Sequence, residues 1–175
     1  IIGGAAGFAI GGPLGAILGG VAGHVLDKKS ISKRKSSHET DQMAFTVAII
    51  VLGAKMAKAD GTVSIEEIKA FREVFHVPER DMKTVGQIFD EAKKDSSGFE
   101  PYANQISDLF KNRKNVLEDL LDGLFHIAKA DNILHQSELE YLRQVSIIFG
   151  FTDFEFKSIK ERHSSPEISD PYKIL

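Results

Sequence analysis

Every fourth residue from Gly3 through Gly7, Gly11, Gly15 and Gly19 to Gly23 is glycine, inside an opening stretch that carries no charge until Asp27. At this spacing the glycines fall along one face of an α-helix, because residues i and i+4 lie nearly above one another. In water such a helix is poor, since each interior glycine costs roughly 0.8–1 kcal/mol against alanine. In a bilayer the backbone has nowhere else to hydrogen-bond, so the helix forms regardless, and its bare ridge lets a second helix approach closely. At about 1.5 Å per residue, residues 1–26 reach roughly 39 Å, enough to cross a hydrocarbon core of about 30 Å with some tilt. The pattern predicts a transmembrane glycine-zipper helix over residues 1–26 that pairs the chain as a homodimer.

Other readings of the segment fit less well. A secretory signal places its positive charges before the apolar run, whereas here they follow it. A flexible linker would not interleave Phe8, Ile10, Leu14, Ile17, Leu18, Val21, Val25 and Leu26 with the glycines. Pro13 is tolerable within a span. Lys28, Lys29, Lys33, Arg34 and Lys35 come directly after it. An excess of Lys and Arg marks the cytoplasmic side, which predicts an outside N-terminus and a cytoplasmic C-terminal part. Next to a span, these five cations are most simply contacts with anionic head groups of the phospholipid bilayer.

The rest of the chain has the opposite balance. Residues 39–175 hold 17 Lys and Arg against 24 Asp and Glu, a net charge of −7. That surface argues against nonspecific nucleic-acid binding. The absence of cysteine excludes disulfides and thiolate metal sites.

The acidic part repeats itself. The tetrapeptide AKAD at Ala57–Asp60 returns at Ala128–Asp131, and at the same offset Glu67 aligns with Glu138, Arg72 with Arg143 and Val74 with Val145. An apolar run precedes each copy. The first, MAFTVAIIVLGA, is too short to span a membrane and reads as a buried core helix. The second presents Leu117, Leu120, Leu121, Leu124 and Ala128 as a helical stripe. After each copy comes an amphipathic helix, with Ile65, Ile68, Phe71 and Phe75 in one and Leu139, Leu142, Val145 and Phe149 in the other. Each unit is therefore helix, turn, helix.

Between the units, Met82, Val85, Ile88, Phe89 and Ala92 predict a helix that Pro78 opens. A shorter helix follows from near Pro101, and Thr152 to Glu155 form a capping box before a last helix. No stretch alternates at period two. The expected fold is all-α, with about seven helices after the span and two of the helix pairs related.

No enzyme constellation is present: there is no H-E-x-x-H, no phosphate-binding glycine loop and no nucleophile elbow. The chain reads as a non-enzyme without a required cofactor. The acidic turns do not make an EF-hand loop, because Ile68 and Arg72 stand where oxygen ligands are needed. Ser64 with Glu67 is a capping box, and Glu138 occupies the matching first-turn position behind His135. Acidic pairs such as Asp119 with Asp122 read as solvated helix faces.

Two A-x-A-D turns leading into acid-capped helices, in an all-helical domain of this size, resemble the TerB tellurite-resistance domain. The closing residues Asp170 to Leu175, DPYKIL, are similar to the first helix of a J-domain. A glycine-rich span, a basic flank, a TerB-like domain, a short linker and a J-domain is the order found in DjlA-type membrane-anchored DnaJ-like co-chaperones. The resemblance implies a transmembrane helix at 1–26, a basic juxtamembrane linker at 27–40 and a TerB-like domain at 41–163. A linker at 164–169 and the start of J-domain helix I at 170–175 complete it. It further implies a DnaK-type chaperone as partner at the bacterial inner membrane, reached through a J-domain whose His-Pro-Asp tripeptide does not occur in these residues. A second reading, carried by the TerB resemblance alone, is a metal- or stress-sensing module. In it Asp60 with Glu67, or Asp131 with Glu138, would hold a divalent cation.

Overall fold

The structure is a computed structural model that describes residues 11–25, 37–60, 65–75, 79, 82–95 and 97–164; at 22–25, 37–40, 60, 67, 68 and 75 it describes the backbone alone. Among these residues there are eight helices and no strand. They are α1 (Gly12–Val25), α2 (Ser37–Asp60), α3 (Ile65–Phe75), α4 (Met82–Lys94), α5 (Glu100–Leu109), α6 (Lys114–Ala128), α7 (Gln136–Ile148) and α8 (Asp153–Ser164). One helix of the predicted span is thus followed by seven more, as the periodicities require.

Helix α2 is the axis of the fold. Ala48, Ile49, Ile50, Val51 and Leu52 are all buried, and five consecutive residues cover every direction around a helix. A helix apolar all round belongs in a core or a membrane. By length and composition Asp41–Ala59 could cross a bilayer, yet 67% of its most apolar window is buried by neighbouring helices. It is the core helix of the domain.

The related units interlock crosswise. Helix α3 packs on α6, and α7 packs on α2, while α2 and α6 pack on each other. Helix α7 also packs on α6 of its own unit, so the exchange is one-sided: it is α3 whose main partner lies in the other unit. The α6 stripe of Leu117, Leu120, Leu121 and Leu124 is buried, as are Leu142, Val145 and Phe149 of the α7 side. Ile65 departs from the predicted α3 face. It is the first residue of that helix and is 67% exposed, so the buried face lies further along, at Ala70 and Phe71.

Local chemistry sets the ends. The Glu155 carboxylate accepts from the Thr152 backbone N–H (2.7 Å), and the Thr152 hydroxyl accepts from the Glu155 N–H (3.2 Å), which is the predicted capping box. Helix α7 stops at Gly150, whose φ of +83° needs a residue without a Cβ. There the Phe151 N–H reaches the Ser146 carbonyl and the Gly150 N–H reaches that of Ile147, both at 3.0 Å, a Schellman closure. Helix α4 is described from Met82, and Pro78, expected to open it, lies outside the described residues.

The described portion of the predicted span is a helix of 14 residues, shorter than the ~20 that a perpendicular crossing takes. Its apolar residues Leu14, Ile17 and Val21 are buried, and it packs on α4, α5 and α2.

Candidate functional site

A lysine stands alone inside the apolar run of α2, and the fold turns it inward. The side chain of Lys55 is only 3% exposed. Burying an ammonium is costly unless it is paired and fully hydrogen-bonded. Here Nζ donates to the Asp95 carboxylate (3.1 Å), to the Asp95 carbonyl (3.0 Å) and to the Ser97 carbonyl (2.7 Å). It also lies 4.9 Å from the centre of the Tyr102 ring. The loop between α4 and α5 supplies all of these acceptors, so this ion pair fixes that loop to the core helix.

Asp95 is correspondingly saturated. Its carboxylate accepts from the Ser97 hydroxyl and from the Tyr102 hydroxyl at 2.5 Å. The Ser97 and Tyr102 hydroxyls, with smaller help from Lys55, hold the Asp95 carboxyl well below its ordinary range against the opposing effect of burial. Burial, and then the bond to Asp95, pushes the Tyr102 hydroxyl up to about 12. A crevice beside this cluster brings Pro13, Ala16 and Ile17 of α1 against Asp95 and Tyr102.

An apolar groove of about 360 Å³ opens between α2, α3 and α4, walled by Met56, Phe71, Met82 and Phe89. Gly53 and Gly86 lie along it, and a Cβ at either would meet nothing within 4 Å. Methionine walls adapt to varied apolar shapes. Arg72, Asp90 and Lys93 stand at the edge of the groove. This is the concave, mostly apolar shape that binding sites take.

The sequence-predicted residues divide by position. Gly3, Gly7, Lys28, Lys29, Lys33, Arg34 and Lys35 lie outside the described residues. Gly11 precedes α1, which holds Gly15, Gly19 and Gly23 of the ridge. A Cβ at Gly19 would meet nothing within 4 Å, so the ridge is open there while the other face of α1 is docked.

The side chains of Asp60 and Glu67 are outside the described residues. In the second turn, the Asp131 carboxylate accepts from the Ile133 N–H (2.9 Å), and Glu138, 3% exposed, accepts from the His135 N–H (3.0 Å). Asn132 between them takes a left-handed φ of +63°. Both acids bind backbone of their own turn, and among the described residues no three His, Asp or Glu side chains converge as a cation site.

Asp122 is not a solvated helix face. It accepts from Arg162 (2.8 Å) and pairs with His163 Nε2 (2.7 Å), tying α6 to α8. Asp119 beside it has its carboxyl pushed up, first by burial and then by the charges of Asp122 and Glu118. Sequence reasoning passed over Lys55, Asp95, Tyr102 and Gln105. The one available signal was Lys55 itself, a single charge amid VLGAKMA.

The fold is thus an anchor-like helix resting on a crosswise pair of helix-turn-helix units. The chain belongs to the tellurite resistance protein TerB family, whose model matches residues 46–161. Residues 1–40 match the co-chaperone DjlA transmembrane domain. The molecule therefore has the layout of a DjlA-type membrane protein, with an anchor followed by a TerB-like domain. No curated protein and no solved structure matches the chain significantly.

Proposed function

We propose that this chain is the anchor and accessory region of a J-domain co-chaperone at the cytoplasmic face of the bacterial inner membrane, where the parent protein recruits and stimulates a DnaK-type chaperone. The order of the two matches, a DjlA transmembrane domain at 1–40 and TerB at 46–161, carries this reading. The basic run after the span adds about 1 kcal/mol of attraction to anionic lipid per residue near the surface. The apolar groove between α2 and α4 gives an apolar partner or client segment a place to bind. The metal-sensing alternative gains nothing from the second turn, where Asp131 and Glu138 bind backbone amides.

The test is the ATPase of a DnaK-type chaperone in single-turnover assays. The parent chain in vesicles should raise the hydrolysis rate several-fold, and residues 1–175 alone should leave it at the basal value. Stimulation by residues 1–175, or none by the parent, contradicts the proposal.

Dimerisation belongs to the same proposal. Gly15→Leu with Gly19→Leu fills the ridge that lets two backbones approach. In a genetic membrane-association assay the double variant should lose most of its self-association. An unchanged signal would mean that the ridge is not the contact.

A further inference from the structure

The helix matched as an anchor and the helix seen on the domain cannot occupy both places at once. Leu14, Ile17 and Val21 are 1%, 6% and 6% exposed, turned into the same apolar core as the domain helices. The first turn of α1 is held by a side chain of α5. Gln105 Oε1 accepts from the Leu14 N–H at 2.8 Å, and Gln105 Nε2 donates to the Gly11 carbonyl at 2.5 Å. A helix start leaves its N–H groups without partners, and here the domain supplies one. In a span over residues 1–26, the C-terminal end faces the domain and Gly11 lies roughly 22 Å from it, inside the hydrocarbon and out of reach of Gln105.

We propose that the α4–α5 face is a docking surface for the anchor helix itself, holding α1 while the chain is off the membrane and releasing it on insertion. The inference rests on the reading of residues 1–40 as an anchor. Gly12 is the hinge. Its φ of +71° opens the docked helix, and Gly11 just before it is not helical. A span of ~20 residues must draw on residues before Gly12. Glycine passes from left-handed to helical φ at no steric cost, which lets the same chain serve both forms. The docking face is also unsuited to lipid. Glu91 lies 3.5 Å from where a Gly20 Cβ would sit, and Lys94 and Asp95 border the crevice under Ala16. Insertion removes that lid from the Asp95–Tyr102 cluster and opens the α4–α5 face to another apolar helix.

The chain has no cysteine, so an introduced pair reports without background. Gly20→Cys with Glu91→Cys places two thiols across the α1–α4 contact, where the Glu91 side chain reaches Gly20, and leaves the predicted ridge untouched. The full chain, made lipid-free, is treated with a short bismaleimide alone and after addition of phosphatidylethanolamine–phosphatidylglycerol vesicles, with flotation reporting membrane binding. Docking predicts that most of the lipid-free chain cross-links, and that the floated chain does so at least tenfold less. No cross-link without lipid, or equal cross-linking in the floated chain, overturns the proposal. Cross-linking in a chain that never floats overturns the exchange together with the anchor reading beneath it. Hydrogen exchange on the unmodified chain gives a second readout. Amides of residues 82–94 and 100–109 should exchange faster once the chain is in vesicles, and unchanged protection again overturns the proposal.

Discussion

Asp95→Ala should destabilise the helical domain by about 3 kcal/mol, and Lys55→Met by only about 1 kcal/mol, although the two variants break the same ion pair. The asymmetry comes from what each leaves behind. Without Asp95, an ammonium that is 3% exposed keeps two backbone carbonyls and the Tyr102 ring but loses its counter-charge. Without the Lys55 charge, the methionine stem still fills the core. Asp95 is 33% exposed and retains the hydroxyls of Ser97 and Tyr102. Urea denaturation of both variants reads the order, and a larger loss for Lys55→Met would contradict it.

The same cluster sets two limits in pH. The Asp95 carboxyl is depressed in the fold, so its contribution is present above the ordinary value of 3.8 and is lost as pH falls through the folded value. The Tyr102 hydroxyl is raised from 10.0 to about 12, so its contribution is full below 10.0 and is lost as pH rises toward 12. Asp95→Ala should flatten the acid limb of a stability profile.

Gly123→Leu should cost about 3 kcal/mol or more, the upper end for overfilling a packed core. Gly123 lies where α6 meets α2 and α3. A Cβ alone would stand 2.6 Å from Ile49 Cδ1 and 3.7 Å from Val74 Cγ1, and leucine adds three further carbons. The nearer neighbour is the end of a side chain, which predicts a specific rescue. Ile49→Ala costs roughly 2–5 kcal/mol in the native background because it leaves a cavity. In the Gly123→Leu background it should recover stability instead. A double-mutant cycle measures this coupling, and strictly additive losses would show that the two positions do not compete for space.

These residues also mark how far the sequence could be read. The run MAFTVAIIVLGA announced a buried helix because a mostly apolar run of twelve residues is too short to span and too apolar for a surface face. The AKAD repeat announced two related units, and Thr152 with Glu155 announced a helix start, because each depends on neighbours along the chain. Lys55 did not announce Asp95. Their meeting depends on how a loop forty residues away folds back onto α2, and no local period encodes that. The packing of α3 on α6 was equally hidden, since its stripe would suit packing within its own unit. Asp122 was misread for the same reason, its partners Arg162 and His163 being on another helix. The glycine ridge specified a helix able to pair, while its Leu14–Ile17–Val21 face fitted lipid and protein equally well.

Alkaline carbonate extraction of bacterial membranes that carry the parent protein tests the anchored layout most directly. The layout predicts that the protein stays in the membrane pellet and that deleting residues 1–26 moves it to the supernatant. Release of the intact protein by carbonate would contradict it.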